Sequence, residues 1–130
     1  INFMKKTLGI RHIALKIKNF EQCLKFYTDV FGMKIDWQPD NKNVYLTNGL
    51  DNLALHLNEN LQDDNSQNRL DHFGIMLQKS EDVDYWYSYI QSKNVKIHKQ
   101  INSHRDGSRS FYCCDPDGNV IQVIWHPSSK

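Results

Sequence analysis

The sequence is short of long apolar runs, of basic clusters and of cysteine. No uninterrupted hydrophobic stretch approaches the ~20 residues that span a bilayer. Nor does the N-terminal region carry the charged, then apolar, then small-residue pattern of a secretory signal. Ile1-Asn2-Phe3 ahead of Met4 reads as an expression remnant, with Met4 as the natural start. Sixteen basic residues stand against fifteen acidic ones, for a formal net charge of +1, and no polybasic run breaks that balance. Nucleic acid and anionic membranes are therefore not the expected partners. Three cysteines are an odd number. Cys113 and Cys114 are adjacent, so a bridge between them would be strained, and Cys23 falls within a helical pattern. Free thiols in a reducing cytoplasm are the better reading. At 130 residues the chain is long enough for one domain with a real core.

What is present is a half-length echo. Arg11-His12-Ile13-Ala14-Leu15-Lys16-Ile17 is answered sixty residues later by Asp71-His72-Phe73-Gly74-Ile75-Met76-Leu77. Each is an alternating run with histidine in second place, and each leads into a helical pattern. Two further alternating runs, Leu53-Ala54-Leu55-His56-Leu57 and Val120-Ile121-Gln122-Val123-Ile124, close the two halves. Internal repetition of this kind decides architecture. Each half reads as strand, helix and three strands, over about 9–58 and 70–126, with a polar linker at 59–69.

In the first half, Asn19 opens a helix with Gln22 in the capping-box place. Phe20, Leu24, Tyr27 and Phe31 share one face, and Gly32 stops it. Strands follow at Met33 to Gln38, Asn43 to Thr47 and Leu53 to Asn58. In the second half a strand spans Leu70 to Gln78. Ser80 caps a helix with Glu81 and Asp82 in its first turn and Val83, Trp86, Tyr87 and Ile90 on its apolar face. Val95 to Ile101, Arg109 to Cys114 and Asn119 to Trp125 read as strands, the last two joined by the turn Asp115-Pro116-Asp117-Gly118.

Side chains alternate across a strand. Ile13, Leu15 and Ile17 therefore face a helix, and His12, Ala14 and Lys16 face away. The same parity turns His56, His72 and Gln122 away from the helices. Three imidazoles and an amide on such faces have metal-ligand chemistry. A single strand histidine is more often a hydrogen-bonded structural residue, and the repetition is what favours the ligand reading.

At these residues the chain resembles the vicinal oxygen chelate superfamily, which includes glyoxalase I, extradiol dioxygenases, fosfomycin-resistance enzymes and bleomycin-binding proteins. The resemblance runs from Gly9 to His126. It is carried by His12-Ile13-Ala14-Leu15, Phe26-Tyr27 through Phe31-Gly32-Met33, Asp71-His72, and Ser110-Phe111-Tyr112 through Asp115-Pro116-Asp117-Gly118-Asn119. It implies an α+β fold of two tandem βαβββ modules, forming an open, curled eight-stranded mixed sheet around a metal cleft within one domain over 4–130. Carried over, the ligand positions fall on His12, His56, His72 and Gln122, for a divalent zinc, iron, nickel, cobalt, manganese or copper ion.

The departures bear on chemistry. Glyoxalase I usually has glutamate at the places matched to His56 and Gln122, and an amide takes no proton near neutral pH. Extradiol dioxygenases and fosfomycin enzymes use two histidines and a glutamate, the last at the place of Gln122. The resemblance implies a metal-dependent lyase or isomerase on a small oxygen-chelating substrate, acting as a homodimer and not as a typical glyoxalase I. Ring-cleaving dioxygenation and ligand sequestration without turnover are the alternatives. Tyr112 and Gln122 are the catalytic candidates. Arg109, Tyr112, Trp37 and Tyr45 are the candidates for touching substrate. His98 falls in the sixth strand and His104 in the loop after it, with solvation the default and an approach of His104 with Arg105 to an anionic ligand the option.

Overall fold

A computed structural model describes residues 5, 8–62 and 70–128. Residues 1–4 and most of the polar linker lie outside the described residues. Ten elements follow in the order β1 (His12–Ile17), α1 (Phe20–Asp29), β2 (Lys34–Trp37), β3 (Asn43–Thr47), β4 (Asn52–Leu57), β5 (Phe73–Met76), α2 (Ser80–Ser92), β6 (Ile97–Ser103), β7 (Arg109–Cys114) and β8 (Val120–Trp125). The fold is α+β and consists of two βαβββ units, residues 1–61 and 62–130.

The first unit holds a four-stranded mixed sheet in the order β1-β4-β3-β2. β1 and β4 run parallel, and the others pair antiparallel. Leu15, Ile17, Val44, Leu46, Leu53 and Leu55 are buried at alternate places, and they share the core with Phe20, Cys23, Phe26 and Tyr27 of α1. The helix starts after Asn19, although the Asn19 side chain does not cap it. Gly32 takes φ +68°, the left-handed conformation that glycine adopts at least cost.

The second unit repeats the plan with the order β5-β8-β7-β6. Its core is Val83 and Ile90 of α2 against Phe111, Cys113, Ile121 and Val123. The N-cap of α2 is Lys79 rather than Ser80, which is the first helical residue. β5 is shorter than its alternation suggests and β6 lies two residues later, because pairing rather than pattern decides where a ladder ends. At the β7–β8 turn, Asp115 accepts hydrogen bonds from the backbone N–H groups of Asp117 and Asn119 and from the Asn119 amide, and Gly118 takes φ +86°.

All three cysteines are free thiols. Cys113 is fully buried and Cys114 half-buried, so the adjacent thiols point to opposite faces of β7 and do not chelate one ion. Burial above all, then the charges of Cys114 and Asp115, pushes the Cys113 thiol up to about 12. Only about one Cys113 in ten thousand is then a thiolate at pH 8. Iodoacetamide at that pH should modify Cys114 first, and Cys113 and Cys23 only after unfolding. Mass spectrometry showing equal labelling of all three would contradict this burial.

Candidate metal and substrate site

His12 opens β1 on the face turned from α1. Its ring Nδ1 lies 2.7 Å from the Asn52 Oδ1, directly across the parallel ladder. An amide oxygen only accepts, so His12 carries its proton on Nδ1 and presents Nε2 as a lone pair. His72 occupies the same place ahead of β5. Its Nδ1 lies 2.6 Å from the Asp71 Oδ2, which again places the proton on Nδ1 and leaves Nε2 open. The hydrogen bond from His72, joined by its positive charge whenever the ring is doubly protonated, holds the Asp71 carboxyl below the usual range. A histidine whose Nδ1–H is tied to an oxygen acceptor is in the tautomer of a metal ligand, and a carboxylate acceptor also raises its basicity.

Gln122 lies on the same face of β8 as Tyr112 on β7, its direct cross-strand partner. Its Nε2 donates to the Ser110 Oγ at 3.0 Å, which leaves Oε1 as the free atom of the amide. The buried Ser110 hydroxyl in turn meets the His104 Nε2 at 2.8 Å. Sequence reasoning treated His104 as loop-solvated and missed this chain. The available signal was Asp106-Gly107, a turn dipeptide between His104 and Ser110. The hairpin closes through His104 N–H to the Ser108 carbonyl and Gly107 N–H to the His104 carbonyl. The Tyr112 ring meets the His72 ring edge to face at 5.2 Å, so His72, Tyr112 and Gln122 are neighbours on one face of the second unit.

The expected grouping of His56 with His12 needs correction. The register pairs His12 with Asn52, Ala14 with Ala54 and Lys16 with His56. In the second unit Gly74 pairs with Gln122 and Met76 with Ile124. The repeat equivalent of Gln122 is therefore Ala54, and that of His56 is Ile124. His56 sits four residues along the ladder from His12, about 13 Å at the strand rise. The two share a face but not a site. Within neither unit do three His, Cys, Asp or Glu side chains gather closely enough to hold an ion, among the described residues.

Arg109 also departs from its expected role. Its guanidinium forms a two-point pair with Asp84 of α2, Nη2 to Oδ1 at 2.7 Å and Nε to Oδ2 at 3.2 Å, and donates to the Ser103 Oγ. Strand parity turns it to the helix side with Phe111, opposite Tyr112. Arg109 thus anchors α2 to β7 and is not placed for substrate. The Asp84 hydrogen bond raises the Arg109 pKa further and lowers that of Asp84. Trp37 and Tyr45 stack at 5.2 Å on the sheet face that carries His12, with Trp37 58% exposed.

Residues 9–123 match the Glyoxalase/Bleomycin resistance protein/Dioxygenase superfamily. The chain belongs to this superfamily. Among its relatives, the metallothiol transferase FosB of Staphylococcus saprophyticus subsp. saprophyticus is 24% identical, over 88% of this chain and 75% of that protein. The trivalent organoarsenical cleaving enzyme of Bacillus sp. strain MD1 is 29% identical, over 88% of this chain and 71% of that one. In structure, the chain is similar to lactoylglutathione lyase from Agrobacterium tumefaciens, with TM-score 0.76 and 23% identity, covering 93% of this chain and 96% of that chain.

Proposed function

We propose that this chain is a metal-dependent enzyme that holds a small substrate through neighbouring oxygen atoms, with His12, His72 and Gln122 as the metal-binding residues. The observation that carries the reading is the shared tautomer of His12 and His72. Equivalent histidines in two sequence-divergent units both fix Nδ1–H on an oxygen acceptor and leave Nε2 open. The free Gln122 Oε1 suits a hard or borderline divalent ion, zinc, iron, nickel, cobalt, manganese or copper. With neutral ligands the ion keeps its charge and acts as a Lewis acid on a substrate oxyanion. Tyr112, beside His72 and Gln122, is the candidate proton carrier in place of the missing carboxylate. Trp37 and Tyr45 offer an apolar platform to substrate.

The relatives named for metallothiol transfer and organoarsenical cleavage support an enzyme that makes or breaks a bond to a small substrate. The free thiols support a reducing, cytoplasmic setting, and no helix among the described residues is long and apolar enough to cross a membrane. A homodimer is the assembly proposed, two-fold closure being the commonest arrangement of small oligomers.

Metal add-back to chelator-stripped protein tests the reading. Metal at one hundred times its dissociation constant stabilises the fold by about 2.7 kcal/mol. The melting temperature should rise by about 10 °C for a domain of this size. His12 is exposed, so His12→Ala should leave the apo melting temperature within a degree or two and abolish the rise. An unchanged melting curve with each of the six metals would leave these residues purely structural.

A further inference from the structure

Helix α2 carries a second patterned stripe besides the face that packs on its sheet. Val83 and Ile90 are buried, and Tyr87 closes over Phe111. To one side of them stand Asp82, Trp86, Tyr89 and, at the C-cap, Lys93. Their spacings of four, three and four put them on one helix flank. Trp86 and Tyr89 are half-buried and meet edge to face at 5.1 Å. Tyr85 is 66% exposed and stacks with Tyr89 at 6.2 Å, which widens the aromatic surface. The Lys93 ammonium lies over the Tyr89 ring at 5.6 Å, so it continues the stripe. Neither Asp82 nor Lys93 makes an ion pair among the described residues.

An aromatic middle with a carboxylate at one end and an ammonium at the other is self-complementary. The four-three-four spacing also reads the same in both directions. A second α2 can therefore lie antiparallel across a two-fold axis that passes between the levels of Tyr87 and Ser88. Each Asp82 then faces the partner's Lys93, and each Trp86 faces the partner's Tyr89. The two charge pairs stand about 16 Å apart along the helix and close both ends of the aromatic contact. A parallel arrangement sets carboxylate against carboxylate and ammonium against ammonium, which like-charge repulsion disfavours. Tyrosine and tryptophan suit such a contact, because each joins a large apolar body to a polar tip.

We infer that this flank of α2 is where two copies of the chain meet, antiparallel across a two-fold axis. The inference rests on the homodimer of the reading above and names its surface. One helix flank offers less than the ~800 Å² per partner of a standard interface, so pairing through it is reversible. Sedimentation equilibrium of the full chain over a concentration series up to about 1 mM reads it. D82K and K93D should each raise the dissociation constant about tenfold, since each replaces two attractive pairs by two repulsive ones. The double variant D82K/K93D restores opposite charges and should return it to within about threefold of wild type. Melting temperatures recorded alongside separate weakened pairing from weakened folding, and K93D alters an exposed side chain. A dimer unmoved by either single variant overturns this surface and leaves the homodimer standing. A double variant as weak as the single ones overturns the antiparallel register. A monomer at every concentration overturns the surface and the homodimer together.

Discussion

Phe111→Ala should destabilise the protein by about 3–5 kcal/mol, the cost of emptying a large buried site that collapses only partly. Phe111 is fully buried at the middle of β7, opposite Val123 on β8. The Tyr87 ring of α2 closes over it edge to face at 5.1 Å. It joins helix to sheet, and both of its faces lose contacts on truncation. The loss is comparable to much of a small domain's whole stability. Urea unfolding reads it as a fall in midpoint of between 1 and several molar, at a slope of ~1–3 kcal/mol per molar. Trp37→Ala is the contrast. Trp37 is of greater bulk but 58% exposed, and its loss should stay within ~0.5 kcal/mol. A Phe111→Ala cost below about 1.5 kcal/mol would mean that the α2–β7 contact is not the centre of this core.

The features that hold Phe111 were legible in the chain. Alternation in Arg109–Cys114 and the apolar face of 80–92 are local signals, each readable in a window of a few residues. The same holds for the buried pairs Leu15 with Ile17 and Leu53 with Leu55. The position of His56 was not legible, for a physical reason. Side-chain parity has period two, so a slip of two residues in the pairing of β1 with β4 leaves every face assignment intact. That register is decided outside the alternation of either strand, and the β3–β4 turn that leads into β4 is braced by Asp51, which accepts from the Asn48 N–H at 2.6 Å and from the Thr47 hydroxyl. Arg109 was misread for a related reason. Its partner Asp84 is 25 residues away on a helix, and a loop resemblance carries no information about that contact.

Gln122→Glu should raise proton-transfer activity by about 10²–10⁴-fold, the usual worth of a positioned base. The wild-type protein should show negligible activity on the hemithioacetal of methylglyoxal and glutathione, because an amide accepts no proton near neutral pH. The surroundings accommodate the change. At present Gln122 Nε2 donates to Ser110 Oγ, and Ser110 contacts His104 Nε2. A carboxylate cannot donate, so the Ser110 hydroxyl rotates to donate to it, and His104 supplies an Nε2–H to Ser110. Every polar atom of the chain keeps a partner, so the fold should lose little. This arrangement carries the His104 proton on Nε2 in the variant, which its ring nitrogen shifts report. A negative ligand should also tighten metal binding. Gln122→Leu, which deletes both the free Oε1 and the donor to Ser110, should weaken it and leave the proton transfer absent. The decisive comparison is therefore Glu against Gln against Leu on metal-loaded protein, with His104 shifts recorded alongside. Wild-type turnover already near an ordinary ~10 per second would show that another group, with Tyr112 the nearest candidate, serves as base, and that the missing carboxylate does not limit this chain.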